Sequence, residues 1–336
     1  MKNVFLVCFS FLIILRCCDA QDPTYAERLG YPKGARVLIL HVDDVGMSFD
    51  SNEGAIEAMT KGVATSCSVM MPCAWVPAYV HYLKHHPQTD AGLHLTLTSE
   101  WDGYRWGPLA GKTNVPGLVD DEGALWKDVP DVAKHASPDE VEKEIRAQLD
   151  RARTMGFEPT HLDSHMGTLF ATPAFLERYV KVGIENHIPA MLPGGHDYLI
   201  QLETHAPEAQ VEQMRLIGKT LWDAGLPVLD DLHNFSYGWP IADSAKNDDK
   251  ELNQSRTAKY IEGIKSLKPG LTMMIMHCTA PTEVFQHISG SGPLRKGDLL
   301  VMTNPDFKKA LQEERIILTT WRELMQKRTS LKPNGK

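Results

Sequence analysis

The chain has 336 residues, 43% of them hydrophobic and 23% charged, with a formal net charge of −8. That length supports one large core or two ordinary ones, and no Ser/Gly-rich or Pro-rich tract, charge block or internal repeat marks a linker. The acidic balance argues against a nucleic-acid or anionic-membrane partner.

Residues 1–20 read as an export signal: Lys2, an apolar run over residues 4–15, then Cys18-Asp19-Ala20 before a cut ahead of Gln21. The apolar run is shorter than the about 20 residues that cross a bilayer, and no later stretch is long enough. The expectation is an exported protein, periplasmic or extracellular, with residues 21–336 as its mature domain. An uncleaved anchor is an alternative, and Arg16 before Cys17 speaks against a lipoprotein signal. Cys8, Cys17 and Cys18 fall in this segment, leaving Cys67, Cys73 and Cys278. An odd count is no disulfide framework; Cys67 and Cys73 either pair or are two buried thiols.

From there, strand-like and helix-like segments alternate. Residues 37–42 form a strand, 51–61 a helix with Ser51 as N-cap, 65–71 a strand, 76–85 a helix and 91–98 a strand. Ser137-Pro138-Asp139-Glu140 opens the clearest helix, with Ser at N-cap, Pro at N1, Glu at N3 and Val141, Ile145 and Leu149 at helical spacing. Strands follow at 160–165, near 189–192, at 228–232, 271–277 and 316–319, with helices at 173–186, 208–224, 256–267 and 306–314. About seven parallel strands alternating with helices predict an α/β fold, a distorted (β/α) barrel in a single domain, with an open doubly wound sheet as the fallback. No Gly-rich phosphate loop follows a strand, which argues against a nucleotide enzyme.

Chemistry concentrates at strand ends. Leu38-Ile39-Leu40-His41-Val42-Asp43-Asp44-Val45-Gly46 runs from an apolar strand into two adjacent carboxylates and a glycine that lets the backbone turn away. Alone, Asp-Asp-x-Gly is also an ordinary turn. Strand alternation sends Asp43 and Asp44 into different surroundings, so one can hold a metal while the other handles a proton. His94 lies in Gly92-Leu93-His94-Leu95, and His161-Leu162-Asp163-Ser164-His165 repeats the pattern on a later strand. At ~3.3 Å rise His161 and His165 stand about 13 Å apart and cannot share one metal. His165, nearer the C-terminal end, is the candidate ligand, Asp163 its orienting group and His161 a structural residue. A further strand ends in His277. One carboxylate and two imidazoles from separate strands, with positions open for water, describe a catalytic divalent site.

Asp43-Asp44-Val45-Gly46, Asn52-x-Gly54-x-x-Glu57-Ala58, Gly62-x-x-Thr65-Ser66, Gly92 to Thr98, Val115 to Asp120, Glu144 with Gln148, Pro159 to His165 and Met276-His277 together resemble the YdjC-like carbohydrate deacetylases. The resemblance covers nearly the whole mature chain. It implies a distorted (β/α) barrel and a divalent-metal hydrolase that removes N-acetyl groups from amino sugars such as chitooligosaccharides. It also implies Asp43 as general base, Asp44, His94 and His165 as metal ligands, and His277 as general acid. Two imidazoles and one carboxylate suit Zn²⁺, while the remaining oxygen and water ligands keep Mg²⁺ and Mn²⁺ open.

Three positions depart from the family pattern: Met166-Gly167 where further histidines are usual, His277-Cys278-Thr279 in place of His-Pro-Gly, and Met191-Leu192-Pro193 without the frequent arginine. The metal set survives these changes, and the substrate stays open: an N-acetylated sugar, an O-acetylated sugar, or binding without turnover. Trp101, Tyr104 and Trp106 follow the His94 strand and either stack on sugar faces or anchor a loop. Residues 232–253, with His233, Tyr237 and Trp239, are either a substrate lid or a surface insertion. Chain length of the sugar and oligomeric state are not encoded legibly.

Overall fold

β1 (Arg36–Val45) is buried along nearly its whole length, as a central parallel strand covered on both faces must be. In the computed structural model, which describes residues 22–331, it pairs along most of its length with β6 (Gly270–Met276), at its start with β7 (Ile317–Leu318) and at its end with β2 (Ser66–Val69). β3 (Ala91–Leu95) and β4 (Leu162–Ser164) continue the sheet beyond β2, and β5 (Asp231–His233) lies beyond β6, giving the order β4-β3-β2-β1-β6-β5. All pairs are parallel. The expected signal segment, with Cys8, Cys17 and Cys18, lies outside the described residues.

The outer strand β4 and the chain two residues before β5 are linked through residues 190–193, which make single parallel bridges from Ala190 to Leu162 and from Pro193 to Leu229. The strand expected near 189–192 is thus reduced to two bridges. Pro189 and Pro193 carry no N–H for a ladder, which limits that stave to isolated contacts. The result is the distorted barrel of parallel strands, with the C-terminal ends of β1, β3, β4 and β6 at one mouth, where such folds gather their chemistry.

β1 runs three residues past its expected end. Its register with β2 shifts between Val42 and Val45, and Asp44 has a left-handed φ of 63°. That bulge breaks the alternation of side chains. Asp43 and Asp44 therefore line the same cavity, contrary to the expectation that they face different surroundings. Gly46, at φ 85°, completes the turn.

Helix Phe49–Thr60 is capped by Ser48, whose hydroxyl accepts the Ser51 amide, so Ser51 is not the N-cap. Gly54 lets this helix lie on the chain after β6: a Cβ there would sit 2.5 Å from Thr279 Cα. The capping box of Ser137 and Glu140 opens helix Pro138–Thr154 as the local sequence predicts. Its buried Gln148 accepts from the Thr96 amide at 3.0 Å and donates to the Thr96 carbonyl at 2.7 Å. Glu144 accepts the amides of Leu109 and Ala110. This helix thereby fixes the chain that leaves β3.

Helices Val129–His135, Tyr198–Thr204, Gly292–Met302 and Trp321–Ser330 have no counterpart in the sequence-based expectation. Cys67, Cys73 and Cys278 are buried free thiols. Among the described residues, no helix is long and apolar enough to cross a membrane.

Candidate metal and catalytic site

Asp44 from β1, His94 from β3 and His165, one residue beyond β4, meet at the barrel mouth. Asp44 Oδ1 lies 3.3 Å from His94 Nε2 and 3.2 Å from His165 Nδ1, and one ligand atom from each residue falls within 4.8 Å of the others. All three are buried. Asp44 Oδ2 is taken by Arg295 Nη1 at 2.7 Å, whereas Oδ1 has no hydrogen-bond partner. A buried carboxylate oxygen left unpaired is costly. Facing two ring nitrogens, it is a donor set of the kind that takes a divalent cation.

Each imidazole is held from behind. His94 Nδ1 meets Asp163 Oδ1 at 2.6 Å, which leaves Nε2 free to ligate. Asp163 therefore orients His94 on the neighbouring strand, and not His165 on its own. His165 Nε2 lies 3.2 Å from both Glu100 oxygens. The local field favours positive charge. Burial would lower the pKa of His165, but Glu100 and Asp44 outweigh it and raise it to about 9. Burial likewise opposes the charged form of His94, yet Asp43 and Asp163 hold its pKa well above the usual histidine value. Asp44 stays well below the usual carboxylate range against the effect of burial, through Arg295 and the two histidines.

Asp43 stands beside this set. Its Oδ1 lies 3.2 Å from His41 Nε2 and accepts from Ser68 Oγ at 3.5 Å. Its Oδ2 points to the site, 3.8 Å from His94 Nε2 and 4.0 Å from His277 Nε2. Burial depresses the pKa of His277. The His277 backbone amide donates to Asp298 Oδ2 at 2.9 Å.

Behind the mouth, His41 Nε2 lies 2.9 Å from Asp163 Oδ2, and His161 Nε2 lies 3.6 Å from the same oxygen. His161 stacks on Trp321, with ring centroids 5.2 Å apart, and packs flat against Gly92, where a Cβ would come within 2.5 Å of its ring. Neither His41 nor His161 lines the cavity. Burial alone would lower the pKa of His41, but Asp163 and Asp43 raise it to about 9.

The cavity above the site has a volume of about 1160 Å³. Trp101 and Tyr237 line it, and the Tyr237 ring lies 4.9 Å from that of His277. Two of the three aromatics singled out in the sequence do not reach it. Trp106 is buried, its indole N–H donating to the Thr98 carbonyl at 2.9 Å, and the Tyr104 hydroxyl donates to the Met47 carbonyl at 2.6 Å. Their polar tips are spent anchoring the loop. Strain also gathers here. Asp44, Met166, Asp197 and His205, four of the six non-glycine residues at positive φ among the described residues, line this cavity, and such strain collects where the surrounding structure fixes a functional geometry.

His41, Glu100, Arg295 and Asp298 complete the site and were not singled out by sequence reasoning. His41 alone carried a signal: it is a polar residue in an apolar strand, two positions before Asp43.

A family model described as YdjC-like protein matches residues 37–313. The chain belongs to this family. A carbohydrate deacetylase of Thermus thermophilus is 30% identical over 88% of this YdjC-like chain and 96% of its own. A carbohydrate deacetylase of Thermoanaerobacter pseudethanolicus is 23% identical over 85% and 98%. A chitooligosaccharide deacetylase of Yersinia enterocolitica is 34% identical over 39% of this chain and 49% of its own. The YdjC-like barrel also resembles a solved Enterococcus faecalis structure described as a putative cellobiose-phosphate cleavage protein. The TM-score is 0.68 at 19% identity, covering 86% of this chain and 99% of that one, a likeness of fold.

Proposed function

We propose that this YdjC-like protein is a metal-dependent hydrolase that removes N-acetyl groups from an amino sugar or short oligosaccharide. The observation that carries this reading is the pairing of Asp44, His94 and His165, gathered around an unpartnered carboxylate oxygen, with Asp43 and His277 at the edge of the same cavity. The deacetylase names of the curated relatives support the reaction class.

Asp44, His94 and His165 would hold the ion, with Zn²⁺ favoured by two imidazoles and Mg²⁺ or Mn²⁺ as the alternatives. Once bound, the ion supplies Lewis acidity, polarising the amide carbonyl and making a nearby water a stronger acid. Arg295 fixes Asp44 through Oδ2 and reserves Oδ1 for the cation. Asp43 takes the proton of the attacking water at Oδ2, while His41 and Ser68 steady the other oxygen. His277 delivers a proton from Nε2 to the departing sugar nitrogen, which cannot leave as an anion. Burial lowers its pKa and so makes its protonated form a stronger acid. Trp101 lies on the cavity wall as the aromatic offered to a sugar face.

The test is acetate release from N-acetylglucosamine, its short β-linked oligomers and an O-acetylated sugar, after chelation and after adding back single metals. Zinc restores release from the N-acetyl substrates in wild type. Asp44→Ala, His94→Ala and His165→Ala each lose on the order of 10²-fold or more, because the ion contributes several kcal/mol of charge stabilisation. Release from the O-acetyl sugar alone would make the protein an esterase.

We also propose that the protein is exported and that residues 21–336 are its mature domain. Expression in a secreting host followed by mass measurement checks this: a secreted species beginning at or near Gln21 is the expected product, and a retained, full-length chain would refute it.

A further inference from the structure

We propose that Glu100 is a positioning residue of the metal site, fixing His165 so that Nδ1 and not Nε2 faces the ion; this rests on Asp44, His94 and His165 being the metal ligands. A neutral imidazole carries one N–H and one lone pair, and the nitrogen bearing the hydrogen cannot ligate. Both Glu100 oxygens lie 3.2 Å from His165 Nε2, and an ionised carboxylate only accepts. It therefore keeps the hydrogen on Nε2 and leaves the lone pair on Nδ1, the nitrogen 3.2 Å from Asp44 Oδ1.

His94 is the mirror case. Asp163 sits on its Nδ1 at 2.6 Å and leaves Nε2 facing Asp44. The two ligands thus use opposite ring nitrogens, and their rings cross edge to face with centroids 5.1 Å apart. Opposite nitrogens suit their positions, since His94 lies within β3 whereas His165 lies one residue beyond the end of β4. Glu100 approaches His165 from the edge away from Asp44, which argues against its being a ligand itself.

The aromatic loop now has a purpose. Ser99, next to Glu100, donates its amide to the Trp126 carbonyl at 2.8 Å, and its hydroxyl accepts from the Trp106 amide at 3.0 Å and from Arg105 Nε at 3.3 Å. Trp106 and Tyr104 pin the same loop through their own polar tips. The anchored loop holds a carboxylate at His165, since the one carboxylate of β4, Asp163, is engaged with His94 and His41. Glu100 also lines the cavity, and its side chain is 18% exposed against 1% for Asp163.

Zinc affinity of the full protein, measured against a chromophoric competing chelator, tests this without recourse to activity. Glu100→Ala weakens zinc binding about 10–100-fold, the usual cost of removing a group that orients a ligand. Glu100→Gln, whose carbonyl still accepts from Nε2–H, loses distinctly less, and His165→Ala loses more than either. Matching thermal melts of the metal-free proteins show that folding is not what changed. Affinity within twofold of wild type in Glu100→Ala overturns the proposal. So does a loss as large as that of His165→Ala, which would make Glu100 a ligand, or a Glu100→Gln variant as weak as Glu100→Ala. Wild type that binds no zinc, magnesium or manganese would overturn the metal reading itself, and this inference with it.

Discussion

Asp43→Asn lowers kcat for acetate release by about 10²–10⁴-fold, the range for removing a general base, while zinc content and saccharide binding persist. The variant isolates one property. Asparagine matches aspartate in shape and can still accept from His41 and Ser68, which lie 3.2 Å and 3.5 Å from Oδ1. It cannot take a proton at the other position, which faces the site 4.0 Å from His277 Nε2. Asp44 cannot stand in, because Arg295 occupies one of its oxygens and the proposed ion would take the other. Three readouts separate the readings: kcat, bound zinc, and equilibrium binding of a chitooligosaccharide. An unchanged kcat would remove Asp43 as the base, and loss of zinc would make it a ligand. Wild type that binds sugar and never releases acetate would leave a carbohydrate-binding protein.

What the sequence disclosed, and what it concealed, follows from the range of the interactions involved. β1 is legible because an apolar run ending in charge is a local pattern, and the capping box at Ser137 and Glu140 is local as well. The meeting of a β1 carboxylate with imidazoles from β3 and β4 was legible because the barrel brings strand ends together whatever the loops do; the choice of Asp44 over Asp43 came from the family resemblance. The bulge at Asp44 was not legible, since it shows in the shifted pairing of β1 with β2, a contact between segments distant in sequence. Helix Gly292–Met302 was missed because Gly292 opens it and Gly297 sits inside it, both weak helix formers. Gly297 is required by packing: a Cβ there would lie 2.9 Å from Arg256 Cγ. With that helix went Arg295 and Asp298. Of the three aromatics after β3, Trp101 reaches the cavity, whereas Tyr104 and Trp106 anchor the loop, the other alternative that the sequence left open. Composition does not say whether an indole N–H is spent on a backbone carbonyl, and that of Trp106 is.

Asp298→Ala destabilises the protein by about 3–5 kcal/mol, the cost of stranding one partner of a buried ion pair. Asp298 is fully buried and serves three donors: Oδ1 accepts from Arg256 and, at 2.8 Å, from the Tyr260 hydroxyl, and Oδ2 accepts the His277 amide at 2.9 Å. Arg256 also donates to the Ser236 carbonyl at 3.0 Å, and Ser236 to the Ile275 carbonyl at 2.9 Å. One carboxylate thereby ties the end of β6 to two helices and to the segment bearing Tyr237. Removing it leaves the buried Arg256 guanidinium with the Ser236 carbonyl but no counter-charge, and the His277 backbone N–H without a partner. Activity therefore falls together with stability, as a shift of about 1 Å in a catalytic group can cost on the order of 10²-fold. Urea unfolding of Asp298→Ala, Arg256→Ala and the double variant gives the decisive comparison. The double variant loses less than the two singles added, by about 0.5–3 kcal/mol, because one stranded charge is removed along with its partner. Additive losses, or an Asp298→Ala variant within about 1 kcal/mol of wild type against the 3–5 expected, would mean that His277 is held in place by the barrel alone.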